Sequence, residues 1–146
     1  MRLLIQRVKQ ASVTVEGKIV ADIGVGALVF FGAHKNDTRE QTTWLAQKLL
    51  SLRIFPNDQQ KMHLSLQDIQ GSVLIVSQFT LYCSCQEGRR PDCSSAAPAQ
   101  LAEPLYNKFV NEVKQGIQNT QTGIFGAYMD VSLINDGPLT FTIDAP

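Results

Sequence analysis

Val13 and Val15 alternate with Ser12, Thr14 and Glu16, and after Glu16-Gly17 the apolar positions resume at Ile19, Val20 and Ile23. Alternation on both sides of a turn-forming pair predicts a β-hairpin at the start of the chain. Ala27-Leu28-Val29-Phe30-Phe31 is continuously apolar between Gly26 and Gly32. A run this short reads as a central strand covered on both faces. Asp37 and Glu40 then stand at capping-box spacing, and Leu45, Leu49 and Leu52 follow at i, i+4 and i+7 with Ala46 beside them. They predict a helix of roughly four turns ending near Arg53. Ala102, Leu105, Tyr106, Phe109, Val110 and Val113 form a second amphipathic set, stopped by Gly116. That helix starts either at Pro104, with proline in its first turn, or near Pro98 with a bend. Val73-Leu74-Ile75-Val76 reads as a strand closing at Ser77-Gln78, and the C-terminus as two strands, 131–134 and 139–143, around the turn Asn135-Asp136-Gly137-Pro138. The order lacks the regular alternation of a doubly wound sheet. The expected fold is α+β: mostly antiparallel or mixed, barrel-like sheets packed with two main amphipathic helices, in a single domain over residues 1–146.

Composition narrows the function classes. Hydrophobic residues make up 44% and charged residues 18% of the 146 positions, the balance of a packed core and not of a disordered or fibrous chain. Thirteen Lys and Arg offset thirteen Asp and Glu, so no net field draws the molecule onto nucleic acid or anionic lipid, and any nucleic-acid contact is local. The longest apolar run, residues 27–31, falls far short of the ~18 residues of a membrane span. Arg2 and Arg7 interrupt the first residues before a signal-peptide core can form, so a cytoplasmic protein is expected. Cys83, Cys85 and Cys93 are an odd set in one short stretch, which suits reduced thiols and no structural disulfide.

Conventional catalytic patterns are missing from the sequence. His34 and His63 stand in no nucleophile or metal motif. Three cysteines fall short of the four ligands and paired spacing of a structural zinc site, and the only activated nucleophile on offer is a thiol near Arg89 or Arg90. Gly123-Ile124-Phe125-Gly126 has the spacing of a backbone-clamping loop, but its flanks read as loop and strand, which suits a structural turn. Gly88-Arg89-Arg90-Pro91 sets two guanidiniums beside a stiff proline, as a phosphate site or as a solvated loop. Ser77-Gln78-Phe79-Thr80-Leu81 places two hydroxyls, an amide and an aromatic ring where a strand ends, and strand ends have free backbone donors.

Taken together, Ser77-Gln78-Phe79-Thr80-Leu81, Gly88-Arg89-Arg90-Pro91, Phe125-Gly126-Ala127 with Met129, and Asn135-Asp136-Gly137-Pro138-x-Thr140 resemble the signatures of the D-aminoacyl-tRNA deacylase family. Ile5-Gln6-Arg7-Val8 and Ala11-Ser12-Val13 extend the resemblance to the N-terminus. It implies a hydrolase for chiral proofreading, which cleaves the ester between a D-amino acid, or glycine, and the 3' end of tRNA. It further implies a homodimer with sites at the interface, no cofactor and no metal. The terminal 2'-hydroxyl of the substrate would assist water, with Gln78, Phe79 and Thr80 as the catalytic segment and backbone amides polarising the carbonyl. Ser77, Asn135, Gly137, Pro138, Thr140 and Arg7 would bind substrate, with Gly137-Pro138 as a cis pair oriented by Arg7 that reaches into the partner's pocket. Arg89 and Arg90 would contact the tRNA end. The alternative is a non-catalytic module that binds RNA ends.

Overall fold

A computed structural model describes all residues from Met1 to Pro146. The chain opens with a long strand, β1 (Arg2–Val15), and turns back at Glu16 and Gly17 into β2 (Lys18–Ile23). Both turn residues have positive φ, 50° and 75°, the hand that lets a two-residue turn follow the twist of its strands. The remaining elements are β3 (Gly26–Gly32), α1 (Arg39–Ser51), a small hairpin of β4 (Phe55–Pro56) and β5 (Met62–Leu64), β6 (Ser72–Ser77), a 3-10 turn (Phe79–Tyr82), α2 (Ala99–Gly116), β7 (Thr120–Thr122) and β8 (Asp130–Asp144).

The main sheet runs β2-β1-β3-β6-β7, with β8 also paired to β1. One edge of β1 serves β3 in its first half and β2 in its second, while β8 runs antiparallel along the other edge. The β3–β6 and β6–β7 pairs are parallel, so α1 and α2 supply the crossovers that parallel neighbours require. Gln121 of β7 draws the ends of the sheet together: its side-chain oxygen accepts from Asp22 N at 2.8 Å and its nitrogen donates to Asp22 O at 2.6 Å. The amide thereby stands in for a strand, and the sheet curls towards a barrel.

Two cores result. Leu3, Ile5, Val29 and Ile75 face Leu45 and Leu49 of α1 and Phe109 of α2, while Val8, Val13, Leu28 and Leu74 fill the inside of the curl. β3 has buried residues in both, as its unbroken apolar run requires. β1 serves both through register shifts at Gln6/Val8 and Val8/Gln10, since an irregularity in the ladder moves successive side chains to the other face.

Local expectations are corrected at three places, and a choice between two is settled at a fourth. The capping box is Thr38 with Gln41, not Asp37 with Glu40; the Asp37 carboxylate is instead held by the Met1 ammonium at 2.6 Å and the His34 amide at 2.6 Å. Of the two expected starts of α2 the structure has the earlier: Pro98 is the N-cap, the helix begins at Ala99, and Pro104 lies inside it. The C-terminal residues form one strand, not two around a turn. Lastly, Cys83 and Cys93 are joined in a disulfide, and only Cys85 is free. Ser84 and Asp92 exchange two backbone hydrogen bonds of 2.8 Å, which sets their outer neighbours Cys83 and Cys93 face to face. An odd count of cysteines carries no information about which two the chain brings together.

Candidate active site

β3 and β6 end side by side, and their carboxyl ends open onto a pocket of about 520 Å³. Phe31 and Val76 come from these strands, Ala102 from α2, and Phe125, Tyr128 and Met129 from the segment before β8. Crevices beyond the carboxyl ends of parallel strands are common ligand sites, because the connections there diverge. No Asp, Glu, Lys, Arg or His lines the pocket. Its floor is braced by Tyr106, whose hydroxyl donates to Ile75 O at 2.9 Å and whose ring lies 5.8 Å from Phe31 and 5.7 Å from Phe125. Burial pushes the Tyr106 phenol above the ordinary tyrosine range, so it is a fixed donor and not an acid–base group.

Ser77, Gln78 and Phe79 form one wall, and the chain there passes from β6 into the 3-10 turn. Gln78 N still donates to Phe31 O at 2.8 Å, the last bond of the parallel ladder. Phe79 and Thr80 follow as the first residues of the 3-10 turn, where N–H groups have no acceptor within the turn itself. Phe79 is 60% exposed at the mouth. The Gln78 side-chain nitrogen donates to Thr80 Oγ1. Gly32 lets the turn lie against β3: a Cβ there would stand 2.9 Å from Leu81 Cβ and 3.1 Å from Gln78 O. Arg2 fastens the far end, donating to Leu81 O at 3.1 Å, lying over the Tyr82 ring at 5.2 Å and pairing with Asp144 at 2.7 Å. Burial and the carboxylates of Asp37 and Asp144 push the Tyr82 phenol up to about 12.

The other predicted residues gather on the β1/β8 pair. Between the partners Gln6–Thr140 and Val8–Asn135, β1 has the single residue Arg7, whereas β8 has residues 136–139. The surplus bulges outward. Asn135 closes its base by accepting from Leu139 N at 2.7 Å and donating to Leu139 O at 3.1 Å. Gln6 donates to Thr140 Oγ1 at 3.2 Å. Arg7 fills the gap opposite: Nε donates to Asp136 O at 3.0 Å and lies 3.2 Å from the Asp136 carboxylate, while Nη1 donates to Ile54 O at 2.6 Å. Gly137 has φ 148°, and a Cβ on it would meet Leu139 N at 2.8 Å, so only glycine fits. The Gly137–Pro138 peptide is cis, and both residues are exposed and absent from the pocket lining of their own chain.

The structure thus assembles the predicted residues in two places, the pocket wall at 77–79 with Thr80 next in the turn, and the bulge at 135–140. Arg89 and Arg90 are exposed on the loop that leaves the 3-10 turn. His34 lies outside the pocket, 5.2 Å from the Tyr82 ring, and His63 is exposed on β5. Sequence reasoning did not assign site roles to Phe125, Met129, Tyr128 and Ala102; the first two stand in a motif noted for its resemblance, and the others carry no chemical signal. Gln6 and Asp136 stand in such motifs too but were given no site role, since their contacts exist only across the strand pair.

Comparisons with known proteins agree on one family. A family model described as D-Tyr-tRNA(Tyr) deacylase matches residues 4–144. The D-aminoacyl-tRNA deacylase of Thermosipho africanus is 52% identical over 145 residues, covering 99% of this chain and 97% of the relative. That of Pelobacter propionicus is 52% identical over 144 residues, covering 99% of each. Among solved structures, a c-Myc DNA unwinding element binding protein superposes with a TM-score of 0.94 at 38% identity, covering 100% of this chain and 99% of its own. A structure described as a probable eukaryotic D-amino acid tRNA deacylase shares the fold, with a TM-score of 0.81 at 19% identity over 97% of this chain and 98% of its own. A family match over residues 4–144 and full-length identity near one half make this chain a member of the D-aminoacyl-tRNA deacylase family, hydrolases of translation quality control.

Proposed function

We propose that the chain hydrolyses D-aminoacyl-tRNA in the pocket at the ends of β3 and β6, with backbone amides and the substrate's own 2'-hydroxyl in place of side-chain catalysts. A pocket with no charged side chain, bordered by the start of the 3-10 turn, whose first N–H groups, of Phe79 and Thr80, have no acceptor within the turn, carries this reading. Water attacks the ester carbonyl, and the neighbouring 2'-hydroxyl of the terminal ribose directs it. The carbonyl oxygen takes up the negative charge, which the two amides meet with fixed dipoles. The bond from carbonyl carbon to the 3'-oxygen then breaks, and that oxygen leaves with a proton as a free hydroxyl. A preorganised donor of this kind supplies roughly 10²–10³ in rate. The apolar lining holds the end of the tRNA, and Arg89 and Arg90 approach its phosphates.

Chirality is selected by the bulge of a second copy. Gly137 and Pro138 are exposed on β8 and take no part in the pocket of their own chain, and β8 has only β1 as a partner. A homodimer across β8 covers that edge and brings Gly137-Pro138 to the partner's pocket. Rigid backbone there crowds the position of an L side chain, where D-amino acids and glycine place only hydrogen. The site of action is the cytoplasm, where aminoacyl-tRNA is used.

Deacylation of matched D- and L-aminoacyl-tRNA by the purified protein tests this reading. Release of the D-amino acid alone is expected, and near-complete inertness of a D-substrate ending in 2'-deoxyadenosine. Equal hydrolysis of both enantiomers, or full rates on the deoxy substrate, would overturn it. The similarity to a protein described as binding a DNA unwinding element favours a second reading, a nucleic-acid-binding module, which predicts RNA-end binding with no turnover in the same assay.

A further inference from the structure

Arg89 and Arg90 sit at the tip of a closed ring of chain. The Cys83–Cys93 disulfide spans a sequence separation of 10, and just inside it Ser84 and Asp92 pair through two backbone hydrogen bonds. Gly88, with φ 68°, turns the tip. One root grows out of the 3-10 turn, where Cys83 N donates to Thr80 O at 3.0 Å. The other root is pinned by the Asp92 carboxylate, which accepts from Ser94 N at 2.9 Å and Ser94 Oγ at 3.1 Å, and by Lys35 Nζ, which donates to Ser94 O at 3.3 Å. Neither arginine has an ion-pair partner in the chain. The third thiol, Cys85, is free and exposed inside the ring.

We propose that Cys83 and Cys93 form a reversible thiol–disulfide site for low-molecular-weight thiols and disulfides, and that its state sets how firmly the Arg89–Arg90 arm holds tRNA phosphate. The proposal rests on the deacylase reading for its substrate. Closing the ring removes open conformations of the arm, so two planar guanidinium forks meet the phosphates already placed and less ordering entropy is lost on binding. Reduction consumes two low-molecular-weight thiols. The first, as thiolate, breaks the Cys83–Cys93 bond, forms a mixed disulfide and leaves the other cysteine to take up a proton. The second displaces the mixed disulfide, yielding a second protein thiol and one small-molecule disulfide. Oxidation by the small-molecule disulfide runs the same steps backwards.

The experiment compares protein equilibrated with glutathione disulfide and with reduced glutathione. Maleimide labelling read by mass spectrometry should find one reactive thiol, Cys85, in the oxidised form and three in the reduced form. Reduction should weaken binding of deacylated tRNA and raise KM for D-aminoacyl-tRNA about 3- to 10-fold through the reordering cost of the arm, with kcat unchanged. A D-aminoacyl-adenosine, which lacks the phosphates, should be cleaved equally by both forms. Cys85→Ser should keep this redox dependence, and the double variant Cys83→Ser/Cys93→Ser should behave as the reduced form under both conditions. Three labelled thiols after oxidation, or equal tRNA affinity in the two states, would overturn the proposal. Absence of hydrolysis on both substrates would instead overturn the deacylase reading, while labelling and tRNA binding still decide the fate of the redox site.

Discussion

At the mouth of the pocket, Thr80 has a hydroxyl but no base beside it. The one side chain that reaches its Oγ1 is the amide nitrogen of Gln78, a donor, which occupies a lone pair and takes no proton. The proposed function therefore gives Thr80 a positioning role. Thr80→Ala should lower the single-turnover rate about 3- to 10-fold, as loss of one net hydrogen bond of about 1 kcal/mol implies. Mass spectrometry should detect no aminoacyl ester on Thr80; trapping one would refute the assignment. Arg7 makes a different test. Its side chain is 11% exposed and holds two carbonyls, of Ile54 and Asp136, from opposite sides of β1 and β8. Arg7→Lys offers one ammonium in place of a planar fork and cannot reproduce both bonds. Stability should fall by roughly 1–3 kcal/mol, the cost of buried acceptors left unpaired. The ratio of D- to L-substrate hydrolysis should fall with it, because the bulge loses its anchor; unchanged selectivity in a folded variant would separate Arg7 from the selector.

The 3-10 turn works as a unit because Gly32 lets it approach β3 and Arg2 ties its end. Gly32→Ala pushes a methyl group against Leu81 and the Gln78 carbonyl. Overpacking of this kind costs roughly 1–3 kcal/mol, and the displaced turn should lower kcat at least tenfold while helix content by circular dichroism is retained. Two loops, before β6 and before α2, are held by carboxylates. Backbone and side-chain hydrogen bonds from Ser65 hold the Asp68 carboxyl below its ordinary range, and those from Ser94 do the same for Asp92. A folded value lower than the unfolded one stabilises the native state above the unfolded value, and that contribution is lost as pH falls through the folded one. Urea denaturation should therefore show decreasing stability as pH falls through and below the ordinary aspartate value of 3.8. Asp68→Asn should flatten that decline; an unchanged slope would remove Asp68 from its cause.

For the assembled molecule the decisive feature is β8, a strand of 15 residues with a free outer edge and Ile134 49% exposed. Long uncovered edges invite pairing with another chain, and the proposed dimer uses that tendency. A charge at the centre of this edge should prevent it. Ile134→Lys is expected to be monomeric by sedimentation, with D- over L-selectivity lost because Gly137-Pro138 no longer reaches a neighbouring pocket. A monomeric variant with full selectivity would place the selector within one chain.

The hairpin at Glu16-Gly17, the doubly covered β3 and the two amphipathic helices were legible in the sequence because each depends on neighbours a few positions apart. A helix period, an alternation or a turn pair is complete within a short window, and the family motifs are likewise contiguous. Tertiary structure decided whatever depends on partners far along the chain. Asn135-Asp136-Gly137-Pro138 reads locally as a turn, yet β1 pairs on both sides of it and makes it a bulge in one strand, with Arg7 in the gap. Asp37 reads as a helix cap until Met1 and His34 claim its carboxylate, leaving Thr38 and Gln41 to cap α1. Cys83 and Cys93 read as members of an odd set until Ser84 and Asp92 pair and bring them together. The pocket follows the same rule, since Phe31, Ala102 and Tyr128 are ordinary apolar or aromatic residues until strand order and helix packing place them around one cavity.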